Sequence, residues 1–261
     1  MSRALLNIFP TWGVGIVFIG GVVLLGGGGL ALVRRRLPST ATGAYNDLAG
    51  FILPLVVGVY GIVLAFVIVA LYDAYNDTYD DVQTEAATLE DIYRYSRALP
   101  AGHGARVERH VGDYVNEVVH DEWALLADAK SSPQAAAHLK VLFDDLAAIE
   151  PSNANDGVFL SQSLSDLHEV HIARHRRLDA SVESLPATLR LFVYLGGIGV
   201  LALTYFFGMP NARAQMAMVV SLSAVIGFSL MLVAVLDHPF SGESGIPSHH
   251  FRAGELAGFF D

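Results

Sequence analysis

No cysteine occurs in the 261 residues of this chain. That excludes a disulfide framework, thiolate-ligated zinc and a thiol nucleophile, and leaves either side of a membrane open. Charge is scarce, at 16% of residues, and basic charge scarcer still: 16 Lys and Arg stand against 26 Asp and Glu, a net charge of −10. Gripping nucleic acid takes a basic surface that displaces counterions, so that class is set aside. Also missing are a Gly-rich phosphate loop after a strand, an HExxH helix and a Gly-x-Ser-x-Gly elbow. The carboxylates fall on solvent-facing helical surfaces with no enclosed pocket for acid-base work. The expectation is a protein that is not an enzyme, with no catalytic residue, no cofactor and no assigned metal.

Apolar residues, in contrast, make up 53% of the chain. Four apolar runs, near residues 12–33, 50–72, 188–208 and 214–236, each approach the ~20 residues that a helix needs to cross about 30 Å of hydrocarbon. The first is glycine-laden ("GGVVLLGGGGLALV") and ends at Arg34, Arg35 and Arg36 without a small-residue cleavage site, so it reads as a retained span. Its glycines suit close helix approach in lipid. "GMPNAR" joins the third and fourth runs, which predicts an antiparallel hairpin turning at Pro210.

Between the second and third runs the periodicity is helical throughout. "EAATLEDIYRYSRALP" spaces Leu89, Ile92, Tyr93 and Leu99 as one helical face and stops at Pro100. "ARVERHVGDYVNEVVHDEWALLADA" repeats the pattern with Val107, Val111, Tyr114, Val115 and Val118. A shorter helix follows, then the loop "PSNANDG", then a long helix from about Val158 to Pro186 leading back into the third span. The fold class is therefore an all-α integral membrane protein, with four transmembrane helices and a helical extramembrane domain continuous with spans two and three. Its parts are an N-terminal transmembrane pair (1–72), the helical domain (73–187), a transmembrane hairpin (188–236) and a C-terminal tail (237–261).

The second span runs into "VALYDAYNDTYDD" with no helix breaker. At 100° per residue, Asp73, Asp77 and Asp80 share a face, to which Asp91 returns, and Val59, Ile62, Phe66 and Val69 lie below them on the same line. A second face carries the small residues Pro54, Gly58, Gly61 and Ala65. Were several copies of this helix to surround an axis, Ile62, Phe66 and Val69 would form an apolar gate, and Asp73, Asp77 and Asp80 a charged vestibule that draws cations. The plainer alternative turns the strip to lipid or to other helices and leaves the acids to mark emergence into water.

A further cluster, "HEVHIARHRRLDAS", brings His168, His171, His175 and Asp179 to one side of a helix. Leu164, Leu178 and Val182 share that side, so a half-buried packing face edged by histidines is the main reading. A proton-sensitive contact or a transition-metal site is the lesser one.

"YGIVLAFVIVALYDAYNDTYDDVQTEAATLEDIYRYSRALP" resembles the bestrophin-like family of four-span membrane proteins, whose members carry a Glu-Ala pair (here Glu85 and Ala86) and an Arg before a Leu-Pro stop. Glu122-Trp123, "ARHRRL" (Ala173 to Leu178), Leu185-Pro186 and "LDHPFSG" (Leu236 to Gly242) also look like family signatures, except that His238 stands where the family usually has Arg. The resemblance implies kinship with bestrophins, homopentameric ion channels with an apolar neck on the second span, and so implies that the partners are membrane lipids, further copies of the chain and inorganic ions. Residues 73–187 hold 21 acids against nine Lys and Arg, which favours cations over anions. The rival expectation is a non-conducting membrane anchor whose helical domain scaffolds or senses a protein partner. The expected location is a bacterial inner membrane. Arg34 to Arg36 and Arg213 place both short loops in the cytoplasm by the positive-inside rule, with the helical domain and termini outside. The bestrophin analogy implies the reverse.

Overall fold

The computed structural model describes residues 2–36, 46–100 and 102–260. Among these, all regular secondary structure is helical. The chain divides into two compact units, one of residues 1–73 and 184–237 and the other of 74–183 and 238–261.

The first unit holds α1 (Ser2–Ile8), α2 (Thr11–Arg36), the first part of α3 (Asn46–Ser96), α8 (Ala187–Thr204) and α9 (Ala212–Leu236). Helices α2, α3, α8 and α9 are each long and apolar enough to span a bilayer. In lipid no hydrophobic force drives helix against helix, so small residues that admit close backbone contact decide the pairing. A Cβ on Gly227 of α9 would lie 2.8 Å from the Cα of Ile19 on α2, and one on Gly26 would strike the Ser223 hydroxyl. Of the first span's glycines, Gly26 and Gly29 thus admit close contact with Ser223 and Tyr205, whereas a Cβ on Gly20, Gly21 or Gly28 would meet nothing within 4 Å. Tyr60, Leu64 and Val67 of α3 meet Val193 and Val200 of α8 and Leu230 of α9 in the unit's core. There the Tyr60 hydroxyl donates to the Val193 carbonyl at 3.0 Å.

The third span stops at Thr204, short of residue 208. Gly208 is held out of the helix by Asn46, whose side chain accepts from its N–H at 2.8 Å and donates to its carbonyl at 2.9 Å. Asn211 then caps α9, accepting from the N–H groups of Arg213 and Ala214. Arg34, at the end of α2, donates to the Met209 carbonyl and to the Gln215 side chain. The arginines after span one and the α8–α9 connection therefore lie at the same end of the unit.

The second unit contains the rest of α3, α4 (Gly104–Glu117), a π-helical turn (Val118–Glu122), α5 (Trp123–Leu126), α6 (Pro133–Ala147) and α7 (Ala154–Val182), with 3₁₀ turns at Ser248–Arg252 and Gly254–Phe259. The periodic positions are close to where the spacing puts them: Leu89, Ile92, Leu99, Val107, Val111, Tyr114, Val115 and Val118 are buried in one core, and Tyr93 packs half-buried against it. Ser132 caps α6 ahead of Pro133, and Asn153 caps α7 by accepting from the Asp156 N–H at 2.9 Å.

Two features depart from the sequence reading. Residues 237–261, set apart as a tail, contribute Phe240, Ile246, Phe251 and Leu256 to this core from residue 238 onward. Trp123 draws them in: its ring meets Phe240 and Phe251 edge-on, and its indole N–H donates to the Ile246 carbonyl at 3.0 Å. Secondly, α3 runs unbroken for 51 residues, but the long helix toward span three ends at Val182, and α8 begins at Ala187. Pro186 has no N–H and biases Leu185 away from helical dihedrals, so the intervening residues are extended.

Candidate functional site

On α3 every second-span residue assigned to the apolar strip is exposed within the chain: Val59 at 54%, Ile62 at 61%, Phe66 at 72% and Val69 at 56%. The side of the helix that packs inside its own unit is the opposite one, carrying Tyr60, Leu64 and Val67. The small-residue face is exposed as well, and a Cβ on Gly58 or Gly61 would meet nothing within 4 Å. Both faces are thus left uncovered by their own unit. Phe66 is not buried within the chain.

Asp73, Asp77 and Asp80 are exposed in their respective units. Next to the latter two, Asp81 shows the field that such crowding creates. Its pKa is raised by partial burial and by Asp77 and Asp80, against the opposing pull of Arg176 at 3.3 Å. Asp91 belongs to a different setting, pairing with Arg94 at 3.0 Å.

The histidines of α7 stand at an edge, as read. His168, His171 and His175 are exposed, Leu164 and Leu178 are half-buried against the core, and Val182 is exposed. The rings of His171 and His175 lie 4.2 Å apart, and His175 Nδ1–H donates to the His171 carbonyl at 2.9 Å. Partial burial, with His175 and His168 adding, lowers the pKa of His171. Among the described residues no three His, Asp or Glu side chains stand close enough to share a metal ion.

Sequence reasoning did not find the centre of the α7 packing face, because that centre is charged. Arg174 and Arg177 are buried with Leu167 and Val170. Arg177 places Nε 2.7 Å and Nη2 3.1 Å from the two carboxylate oxygens of Glu85 on α3, a bidentate pair, and Nη2 also reaches Glu122 at 2.8 Å. Arg174 donates to the other Glu122 oxygen at 2.6 Å, where the Ser132 backbone N–H joins at 3.0 Å. The Tyr114 hydroxyl donates to Glu85 at 2.5 Å, and the Arg177 guanidinium lies 5.3 Å from the Trp123 ring centroid. Two acids and two guanidiniums balance, which is the condition for burying charge at tolerable cost.

Glu122, at the end of the π-helical turn, lies on the same buried stripe as Val111, Val115 and Val118 and so points inward. Burial alone would raise the pKa of Glu122, but Arg177 and Arg174 outweigh it and hold the carboxyl below its usual 4.5. Burial would likewise lower that of Arg177, and Glu85, Tyr114 and Glu122 reverse the sign. Burial and Glu85 push the Tyr114 hydroxyl well up. The cluster joins α3, α4, the π turn, α6 and α7, and its role is to hold those helices in register.

The signature motifs map onto such junctions. Glu85, Glu122, Trp123, Arg174 and Arg177 are the cluster itself. In the first unit, Asp237 accepts from the Leu185 N–H at 2.5 Å and pairs with Arg190 at 3.3 Å, which ties the Leu-Pro motif to the start of the "DHPFSG" segment. Four membrane-spanning helices and an all-helical second unit define a multi-pass integral membrane protein. The bestrophin-like domain matches residues 20–251, and the chain belongs to that family. Comparison with curated proteins and with solved structures found no match.

Proposed function

We propose that the protein is a homo-oligomeric ion channel, pentameric by analogy with bestrophins, in which one α3 from each subunit surrounds the conduction path. Ile62, Phe66 and Val69 form its apolar neck, and Asp73, Asp77 and Asp80 a vestibule that prefers cations. The observation that carries this reading is the exposure of all three neck residues on a helix whose other side packs inside its own unit. Family membership supports it, as does the 21-to-nine excess of acids over Lys and Arg in residues 73–187. Lipids, ions and further copies of the chain are its partners, and no catalytic role is assigned.

Replacing Asp73 and Asp77 by Asn together removes two negative charges per subunit from the mouth. In reconstituted bilayers under a salt gradient, the reversal potential moves toward zero from the cation equilibrium value. A wild-type reversal potential at the anion value contradicts the assigned selectivity. Absence of current under every voltage, pH and calcium concentration returns the protein to the class of membrane anchors.

Arg34, Arg35, Arg36 and Arg213 assign the short loops to the cytoplasm of a bacterial inner membrane, and the shared end that Arg34 makes with the α8–α9 connection is consistent with a single basic side. A reporter fused after residue 261 is then active outside the cytoplasm. Activity inside reverses the assignment.

A further inference from the structure

A groove of about 500 Å³ opens between α6 and α7 in the second unit. Leu139, Phe143, Leu164 and Leu167 give it an apolar body, and Phe143 is 52% exposed there. Its polar lining is Lys140, Arg174 and the three histidines His168, His171 and His175, and among the described residues that line it none is acidic. In a unit where acids outnumber Lys and Arg more than twofold, such a lining stands apart. Arg174 supplies a second, independent observation. Its side chain is 5% exposed and its Nη2 is taken by Glu122 and the Ser132 carbonyl, yet its buried Nε has no acceptor. A buried N–H without a partner is destabilising. It lies on a residue that lines the groove.

We infer that this groove binds an organic monocarboxylate with an apolar body, the carboxylate turned to Lys140, His171 and Arg174 and the body laid along Phe143, Leu139 and Leu164. Pockets of this size hold small organic molecules, and orientation in them comes from a few polar groups on an apolar lining. Donors without a lining carboxylate call for an acceptor group on the ligand. The lining offers donors and no carboxylate, whereas Lys140 already spends part of its charge on Asp144, a neighbour at the exposed rim. The apolar body follows from Phe143 and the leucines, which a bare inorganic anion would leave wet. None of these residues belongs to the α3 strip, so the inference stands apart from conduction.

The test uses the full chain in phosphatidylcholine nanodiscs and a decanoate analogue bearing a photoreactive diazirine. Labelling is expected to saturate, to map by mass spectrometry to the peptides of Phe143 and Leu164 to His171, and to be displaced by decanoate but not by decanol. Ala136→Trp, on an exposed position lining the groove, fills it and lowers labelling at least about tenfold. His171→Ala with Lys140→Ala leaves the space and removes donors, which lowers it about tenfold as well. Labelling confined to the membrane spans, equal displacement by decanol, or labelling indifferent to Ala136→Trp overturns the proposal. So does protection of the groove by cross-linking to a second copy of the chain.

Discussion

Glu85→Ala is expected to unfold the helical unit far below the wild-type temperature. Glu85 carries half of the negative charge in the buried cluster and takes two hydrogen bonds from Arg177 and one from Tyr114. Removing it leaves Arg177, which is fully buried, with only Glu122, already shared with Arg174. Breaking a buried pair by deleting one partner costs about 3–5 kcal/mol. In a domain of this size that lowers the midpoint by on the order of ten degrees. Two controls set the scale. Tyr114→Phe loses one hydrogen bond to a carboxylate, about 1.5–3 kcal/mol. Asp81→Ala breaks a pair whose arginine is two-thirds exposed and costs about 0–1 kcal/mol. Trp123, seated beside Arg177, reports the transition by fluorescence. A Glu85→Ala midpoint no lower than that of Asp81→Ala contradicts the assigned role.

The same cluster gives the unit an acid limit. Because the folded state holds the Glu122 pKa below 4.5, the unfolded chain takes up the proton first as pH falls. The stabilisation is complete above about pH 4.5 and is lost as pH drops through the lower folded value. Glu122→Gln lowers stability at neutral pH and flattens that acid limb. Asp81 and Asp166, whose pKa values burial raises, act with the opposite sign but equally in both proteins.

Phe66→Ala is expected to raise the resting leak of reconstituted protein. An apolar constriction stops ions by staying dry, and shortening the bulkiest side chain of the neck both widens and wets it. A tenfold rise in leak corresponds to about 1.4 kcal/mol off the barrier, a modest demand on so large a truncation. The contrast is Leu64→Ala, two residues away and facing inward. Its loss opens a cavity in the unit's core, costing about 2–5 kcal/mol of stability, and leaves the current through each intact channel unchanged. Equal leak from the two variants contradicts the neck assignment.

Much of this was legible in the sequence because membrane solvent and helix periodicity both act locally. The four spans, the end of α3 at Ser96 ahead of Pro100 and the stripe from Val107 to Val118 all follow from residues within a few turns of one another. The strip on α3 could be drawn on a wheel, since a single unbroken helix carries it. What escaped depended on partners far along the chain. Arg174 and Arg177 look like solvated charges until Glu85 and Glu122, more than 50 residues distant, are brought to them. Glu122 falls on the buried stripe with Val111 and Val118, but nothing local says which cations a carboxylate on that stripe meets. The C-terminal residues look like a tail because Phe240, Ile246 and Phe251 show no helical period, and Trp123, which meets all three, lies far away in the sequence. The available signal was the motifs themselves: Glu-Ala, Glu-Trp and "ARHRRL" each held a member of the cluster, though nothing in their spacing said that they touch.

Since the chain has no cysteine, Phe66→Cys introduces a single thiol, and its chemistry reads directly which medium the strip faces. With the oligomer reconstituted and conducting, a charged, membrane-impermeant methanethiosulfonate is predicted to reach that thiol from the aqueous phase and change the current within one addition. A thiol that reacts only with a lipid-soluble maleimide, with the current unaltered, would place Phe66 against the acyl chains and remove the pore.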